Sequence, residues 1–406
     1  MEKKYTPPCP HYRKCGGCQL QNLPYEEQLL FKQRMAVSLL GEFGYVEDII
    51  GMENPTHYRN KVHAAFGIDK KKNKIISGVY QSGTHAIVPV DECMIEDKIA
   101  DEIILDIRNM LPSFKIHAYD ERTGTGYLRH VLVKRGFSTN EIMVVLVVTN
   151  PIFKNQKPFV KKLLELHPEI STIIMNINDR FGPMVLGERE KVLHGKGYIE
   201  DILCGYRFRI SAQSFYQINP VQTEKLYNIA VDYAGLKGTE LVLDAYCGTG
   251  TIGITASGKA KQVIGVEIVK DAVKDAIANA KLNGLKNCWF TAGDAGKYME
   301  EMVAEGTKPD VVFMDPPRAG SDERFLNSLI KTAPKKVVYI SCNPETLQRD
   351  LNHLIRGGYR VKKIQPVDMF PFTKHLETVV LLSRKDVHER IKFDVNVEKL
   401  MENSNR

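Results

Sequence analysis

Short apolar runs at nearly regular intervals dominate the second half of the chain. Leu241–Ala245, Gln262–Val266, Cys288–Thr291, Val311–Met314 and Lys336–Ile340 are separated by segments long enough for a helix. Continuous apolarity marks strands buried on both faces, and helix-length connections join parallel neighbours by right-handed crossovers. A doubly wound, mostly parallel sheet is predicted. Two later runs break the rhythm: Tyr359–Pro366 and His375–Leu382 read as strands, and residues 367–374 between them leave no room for a helix. Such a short connection makes a hairpin, so the last strand runs antiparallel and begins where the parallel strands end.

The first half reads differently. Tyr25–Leu40 carries helical spacing, whereas Lys61–Phe66, Ile75–Tyr80, Ala86–Val90, Tyr127–Lys134, Glu141–Thr149, Thr172–Asn176 and Tyr206–Ile210 have strand character. The expected organisation is a mixed, mostly β domain over 1–210, an α/β domain of Rossmann-like type over 211–385, and a charged tail over 386–406. The stretch up to Gln21 is rich in Cys, Gly and Pro and cannot build a core, so it needs a staple.

Composition narrows the picture only modestly. At 406 residues there is room for two or three cores, and the net charge of +7 is a weak pointer to a polyanionic partner. No apolar run approaches the roughly 20 residues a bilayer demands. The opening Met1–Pro8 lacks a secretory apolar segment, so a cytoplasmic protein with reduced thiols and no membrane partner is expected. In that compartment the spacing Cys9-x5-Cys15-x2-Cys18, with Cys93 as fourth ligand, points to zinc or an iron–sulfur cluster rather than to disulfides.

Candidate chemistry gathers at the carboxyl ends of the second-half strands. Asp244-Ala-Tyr-Cys-Gly-Thr-Gly-Thr251 is a strand running into a glycine turn whose open N–H groups can meet a ligand. Glu267, ending the next strand, suits a ribose diol, and Asp294, ending the third, suits an adenine amino group. A third glycine is missing and a carboxylate precedes the turn, which resembles the S-adenosylmethionine site of Rossmann-like methyltransferases. Asp315-Pro316-Pro317-Arg318 then sets a carboxylate on a stiff edge. Cys342 follows Lys336–Ile340 and precedes a helix over Glu345–Ile355, with Asn343 placed to cap it and Pro344 in its first turn. A helix N-terminus favours thiolate, making Cys342 a candidate nucleophile. The antiparallel last strand brings Glu377 to the same edge, opposite Cys342. A thiolate adding to carbon 6 of a pyrimidine activates carbon 5 toward a methyl donor, and a base must then remove the carbon 5 proton.

Taken together, Phe215-Tyr-Gln-Ile-Asn219, the Asp244–Thr251 turn, Asp315–Arg318, Ser341-Cys-Asn-Pro344 and the Glu377 segment resemble the RNA 5-methyluridine methyltransferases, particularly the 23S ribosomal RNA uracil-5 enzymes. The resemblance implies a Rossmann-like S-adenosylmethionine-dependent domain. In it Gln217, Tyr246, Thr251, Glu267, Asp294 and Asp315 surround the cofactor, Cys342 is the nucleophile and Glu377 the base. It also implies a 4Fe-4S cluster on Cys9, Cys15, Cys18 and Cys93, a 23S ribosomal RNA substrate and a monomer without an obligate protein partner. A transfer RNA substrate is the first alternative. An amino-group methyltransferase built on Asp315-Pro-Pro317 and a non-catalytic iron–sulfur RNA-binding or redox protein are the others. With no stretch before Cys9 for the small RNA-binding barrel of many ribosomal relatives, RNA contacts are expected from Tyr58, Arg59, Arg129 and Arg135.

Overall fold

The computed structural model describes residues 6–69, 71–180, 182 and 184–385; the charged tail expected over 386–406 lies outside the described residues. The five apolar runs of the second half form the parallel sheet they predict. Its strands lie in the order Cys288–Ala292, Gln262–Glu267, Leu241–Ala245, Val311–Met314, Lys336–Ser341, Glu377–Arg384, Tyr359–Val367. The first five are parallel. Glu377–Arg384 inserts antiparallel between Lys336–Ser341 and Tyr359–Val367, as the short connection requires. Chain order reverses between Leu241–Ala245 and Val311–Met314, which opens a crevice beyond their carboxyl ends.

A second seven-stranded sheet belongs to the first half. Its order is Ile87–Pro89, Lys74–Tyr80, Lys61–Asp69, Leu128–Arg135, Ile142–Val148, Ile170–Ile177, Arg189–His194. Helices Lys98–Met110 and Gln156–Leu166 cover one face, packing Ile103, Ile107, Phe159 and Leu163 onto Val131, Val144 and Ile173. From the other face Leu132, Met143, Val145 and Val147 enter a core that also holds Phe208, Tyr227, Val242 and Phe313. The two halves therefore share apolar contacts. Strand Arg189–His194 carries no apolar alternation because it is an exposed edge, and periodicity has nothing to register there.

Helix Tyr25–Leu40, read from the sequence with the first domain, packs against the second sheet. Ala36, Leu40 and Val46 share a core with Leu351, Leu354 and Ile364, and short parallel bridges tie Val46 to Ile364 and Ile50 to Val367. On this helix Lys32 is 0% exposed and ion-paired with the equally buried Asp368. Removing one partner of such a pair costs far more than the pair contributes, because the other charge is stranded in the interior.

Candidate active site

Cys342 sits between strand Lys336–Ser341 and helix Pro344–Arg356. Asn343 caps that helix by accepting from the Glu345 N–H, and Pro344 occupies the first turn. The placement matches the sequence reading, but the expected thiolate preference does not. Burial pushes the Cys342 thiol up to about 11, Glu377 and Asp315 push the same way, and Arg318 and a backbone hydrogen bond oppose them. Burial first, and then the two carboxylates brought in by the fold, outweigh the helix end, so the resting group is a thiol.

Glu377 opens its strand at the same edge. Ser341 pairs with Thr378, so the antiparallel register sets Glu377 beside Cys342. The carboxyl is 5% exposed. Burial, and then the charge of Asp315, raise its pKa well above the ordinary carboxylate range. Asp315, at the end of Val311–Met314, is itself pushed up to about 7 by burial. Cys342, Glu377 and Asp315 thus form one electrostatic group at the strand ends.

The turn 315–318 is stitched to the nucleophile's helix. Asn343 Nδ2 and Thr346 Oγ1 donate to the Arg318 carbonyl at 3.2 and 3.3 Å. The Arg318 guanidinium in turn donates to His375 Nδ1 at 3.1 Å, two residues before Glu377. His375 is held toward its neutral form by burial and then by that cation. Neither Arg318 nor His375 received a role from the sequence. The signal for Arg318 was its place in Asp-Pro-Pro-Arg; His375 had none, since its partner is 57 residues away.

Across the switch point lies the glycine turn. Tyr246 adopts φ 61 and Gly248 φ 53, bending the chain sharply after Asp244. Glu267 braces the turn, accepting from the Gly248 N–H at 3.1 Å and the Val269 N–H at 2.9 Å. Asp244 accepts from Gly253 N–H through Oδ2 at 2.8 Å, while its buried Oδ1 has no partner. Burial first, then Asp315 and Glu267, raise this carboxyl to about 7. Thr251 Oγ1 meets Tyr227 Oη at 3.2 Å, and that phenol also bonds the Gln217 side chain. Tyr227, absent from the sequence reading because it looks like any aromatic on a helix face, couples two predicted cofactor residues. Tyr246 stacks on Phe325, with ring centroids 5.0 Å apart. Asp294 is exposed and caps helix Ala295–Ala304 by accepting from Lys297 N–H, which leaves one carboxylate oxygen for a ligand. A crevice with an orphaned buried carboxylate oxygen and three further acids suits a ligand carrying positive charge.

The expected RNA contacts are corrected by the structure. Tyr58 is buried and donates to Pro371 O; Arg129 is buried and donates to Asn178 O and Arg180 O. Arg135 pairs with Asp97 and Asn140, while Arg59 faces Tyr58, Glu96 and Cys18. Arg129 is spent inside the fold, while the partly exposed Arg59 and Arg135 are engaged by residues of the chain itself, which local alternation could not reveal. Cys9, Cys15, Cys18 and Cys93 line one cavity of about 140 Å³, together with Arg59 and Glu96. The tight four-ligand arrangement expected from their spacing is not formed. Among the described residues no three His, Cys, Asp or Glu side chains are arranged to hold a metal ion. Likewise, among the described residues no helix is long and apolar enough to cross a membrane. Cys247 belongs to the core, and Cys204 and Cys288 pack against it.

A family model described as tRNA (Uracil-5-)-methyltransferase matches residues 24–385. The chain is 44% identical over 392 residues to an uncharacterized RNA methyltransferase of Clostridium acetobutylicum, covering 95% of this chain and 85% of that one. It is 42% identical over 384 residues to another from Halalkalibacterium halodurans, covering 93% and 83%. Among solved structures, the Pyrococcus abyssi tRNA (uracil-54, C5)-methyltransferase in complex with S-adenosyl-L-homocysteine is similar with a TM-score of 0.76 at 28% identity. That match covers 91% of this chain and 86% of the other.

Proposed function

The chain belongs to the tRNA (uracil-5-)-methyltransferase family, and from that premise we propose that it methylates carbon 5 of a uridine in 23S ribosomal RNA with S-adenosylmethionine. The observation that carries the chemistry is the antiparallel register setting Glu377 beside Cys342, with Asp315 close to both.

In this reading Cys342 Sγ, once deprotonated, bonds to carbon 6 of the flipped uracil, and the ring electrons move to carbon 5 as an enolate. Bound S-adenosylmethionine supplies an electrophilic methyl group, which carbon 5 takes. Glu377 then accepts the carbon 5 proton, the electron pair re-forms the ring double bond, and the bond from Sγ to carbon 6 breaks, returning the thiolate. Asp315 and Asp244 face the cofactor's positive charge, Glu267 its ribose, and Gln217, Tyr246, Thr251 and Asp294 complete the crevice. Burial and then the charge of Asp315 hold Glu377 protonated, and a cation beside Asp315 would offset the second of these, favouring the ionised base.

The buried acids impose a pH dependence on binding. Burial raises Asp244 and Asp315 to about 7, and only their ionised forms attract a cation. Affinity for S-adenosylmethionine is expected to fall as pH drops through that range, roughly tenfold between about pH 8 and about pH 6. Titration calorimetry across that interval checks it; a constant affinity contradicts the assignment.

Four thiols around one cavity agree in kind with a 4Fe-4S cluster held by Cys9, Cys15, Cys18 and Cys93. A cluster ties each thiolate to a different iron, so its ligands need not crowd around one point as they must for a single zinc. The cluster's place is structural, tying the N-terminal segment to the first-half sheet, and no step of methyl transfer passes through it. The resemblance to the 23S ribosomal RNA enzymes, to which this cysteine spacing belongs, is what supports ribosomal RNA as the substrate. A transfer RNA substrate is favoured instead by the solved relative, whose name specifies tRNA uracil-54. We assign residues 1–210 to RNA binding and 211–385 to catalysis, in a cytoplasmic monomer without an obligate protein partner. Mass-spectrometric mapping of 5-methyluridine in 23S and transfer RNA, from cells with and without the gene, tests the choice. Loss of a 23S site upholds it, and loss only from transfer RNA overturns it.

A further inference from the structure

The connection that delivers Glu377 is held in large part by the N-terminal segment, with Asn219 and Gln222 donating to the Met369 and Asp368 carbonyls and Arg318 to His375. Lys374 N–H donates to Gln19 Oε1 at 3.3 Å, the Phe372 carbonyl accepts from Leu20 N–H at 2.9 Å, and Pro371 O accepts from Tyr58 Oη at 3.0 Å. Lys32 Nζ donates to Phe370 O, and Tyr25 Oη to the Asp368 carboxylate. At the centre is Phe372, buried and at φ 68, a left-handed conformation that a bulky side chain resists. Its N–H is captured at 2.9 Å by Gln28 Oε1, while Gln28 Nε2 is fixed on Leu23 O at 2.8 Å. Gln28 is 0% exposed on helix Tyr25–Leu40, far from the reacting atoms in sequence and part of no motif. Strain of this sort persists only where the surroundings over-determine it, and it stands five residues before Glu377, from 372 to 377.

We infer that Gln28 is a positioning residue for proton abstraction: by pinning Phe372 in its left-handed conformation it sets where Glu377 stands relative to carbon 5 of the uracil. The N-terminal helix is thereby part of the catalytic apparatus. The inference rests on the assignment of Glu377 as base. It separates two half-reactions, since the Gln28 side chain bonds Leu23 and Phe372 while Ala36 and Leu40, further along the same helix, are what pack on the Cys342 helix. A small displacement of a proton acceptor lowers the rate steeply.

The test uses total RNA labelled with 5-tritiouridine in cells lacking the protein, so the outcome does not depend on which RNA is the substrate. Tritium release into water reads proton abstraction; denaturation-resistant protein–RNA complex reads addition. Gln28→Ala is expected to slow tritium release on the order of 10²-fold, with covalent complex accumulating and affinity for S-adenosylmethionine unchanged. Adding Phe372→Gly, which adopts φ 68 without strain, is expected to restore much of the release. Release at the wild-type rate in Gln28→Ala, or an equal loss of addition and release, overturns the inference. Should Gln28→Ala fail to fold, the Gln28→Ala/Phe372→Gly protein carries the test: folded and releasing tritium upholds the inference, folded and trapped overturns it. No tritium release by the wild type, with addition intact, rejects Glu377 as base and so fails the premise instead.

Discussion

Cys342→Ala is expected to abolish methyl transfer, by at least on the order of 10⁴-fold, while leaving S-adenosylmethionine binding intact. Carbon 5 of uracil has no useful nucleophilicity until a thiolate adds at carbon 6, and among the described residues the nearest thiols by sheet position do not serve: Cys247 is in the core and Cys288 lies four strands along the sheet. The crevice residues owe nothing to the thiol. Glu267 braces the glycine turn, Tyr227 holds Thr251, and Asp315 is fixed by its own strand. Removing one half-buried sulfur also strands no charge, because burial and two carboxylates keep the resting group protonated. Methyl incorporation measured beside cofactor affinity distinguishes this from general damage. Wild-type incorporation would reassign catalysis to Asp315-Pro-Pro317 and an amino-group substrate.

Glu377→Gln is expected to stop the cycle later. Addition and methylation proceed, but the carbon 5 proton has no acceptor, so turnover falls about 10²- to 10⁴-fold and methylated RNA stays bonded to Cys342. Denaturing electrophoresis should show a protein–RNA band whose RNA already carries the new methyl group. The variant should fold. Glu377 is raised well above its unfolded value, so near neutral pH its ionised form opposes folding, and a neutral amide removes that opposition. Its melting temperature should equal or exceed that of the wild type. Free methylated product at the wild-type rate would exclude Glu377 as the base.

How much of this was written locally differs from element to element. The five parallel strands were legible because burial on both faces leaves continuous apolar runs, and the final hairpin because residues 367–374 hold no helix. Cys342 and Glu377 followed from those two facts. The thiol's protonation did not, since it depends on burial and then on Glu377 and Asp315, all of which reach Cys342 only through the fold. Arg129 and Arg135 alternate with apolar neighbours as surface-reading cations would, yet their partners Asn178 and Asp97 come from distant segments. Lys32 and Gln28 are polar residues of a type that usually lies on the solvated face of a helix. Both are buried because a loop more than 300 residues later supplies Asp368 and the Phe372 N–H.

The central claim is covalent addition of Cys342 to a uracil ring, and RNA in which 5-fluorouridine replaces uridine tests it most directly. Fluorine at carbon 5 cannot leave as a proton does, so the cycle should halt after methylation with the ring still bonded to the enzyme. The expected result is a denaturation-resistant complex that requires S-adenosylmethionine and whose peptide attachment maps to Cys342. Normal cofactor binding with no such complex would contradict it.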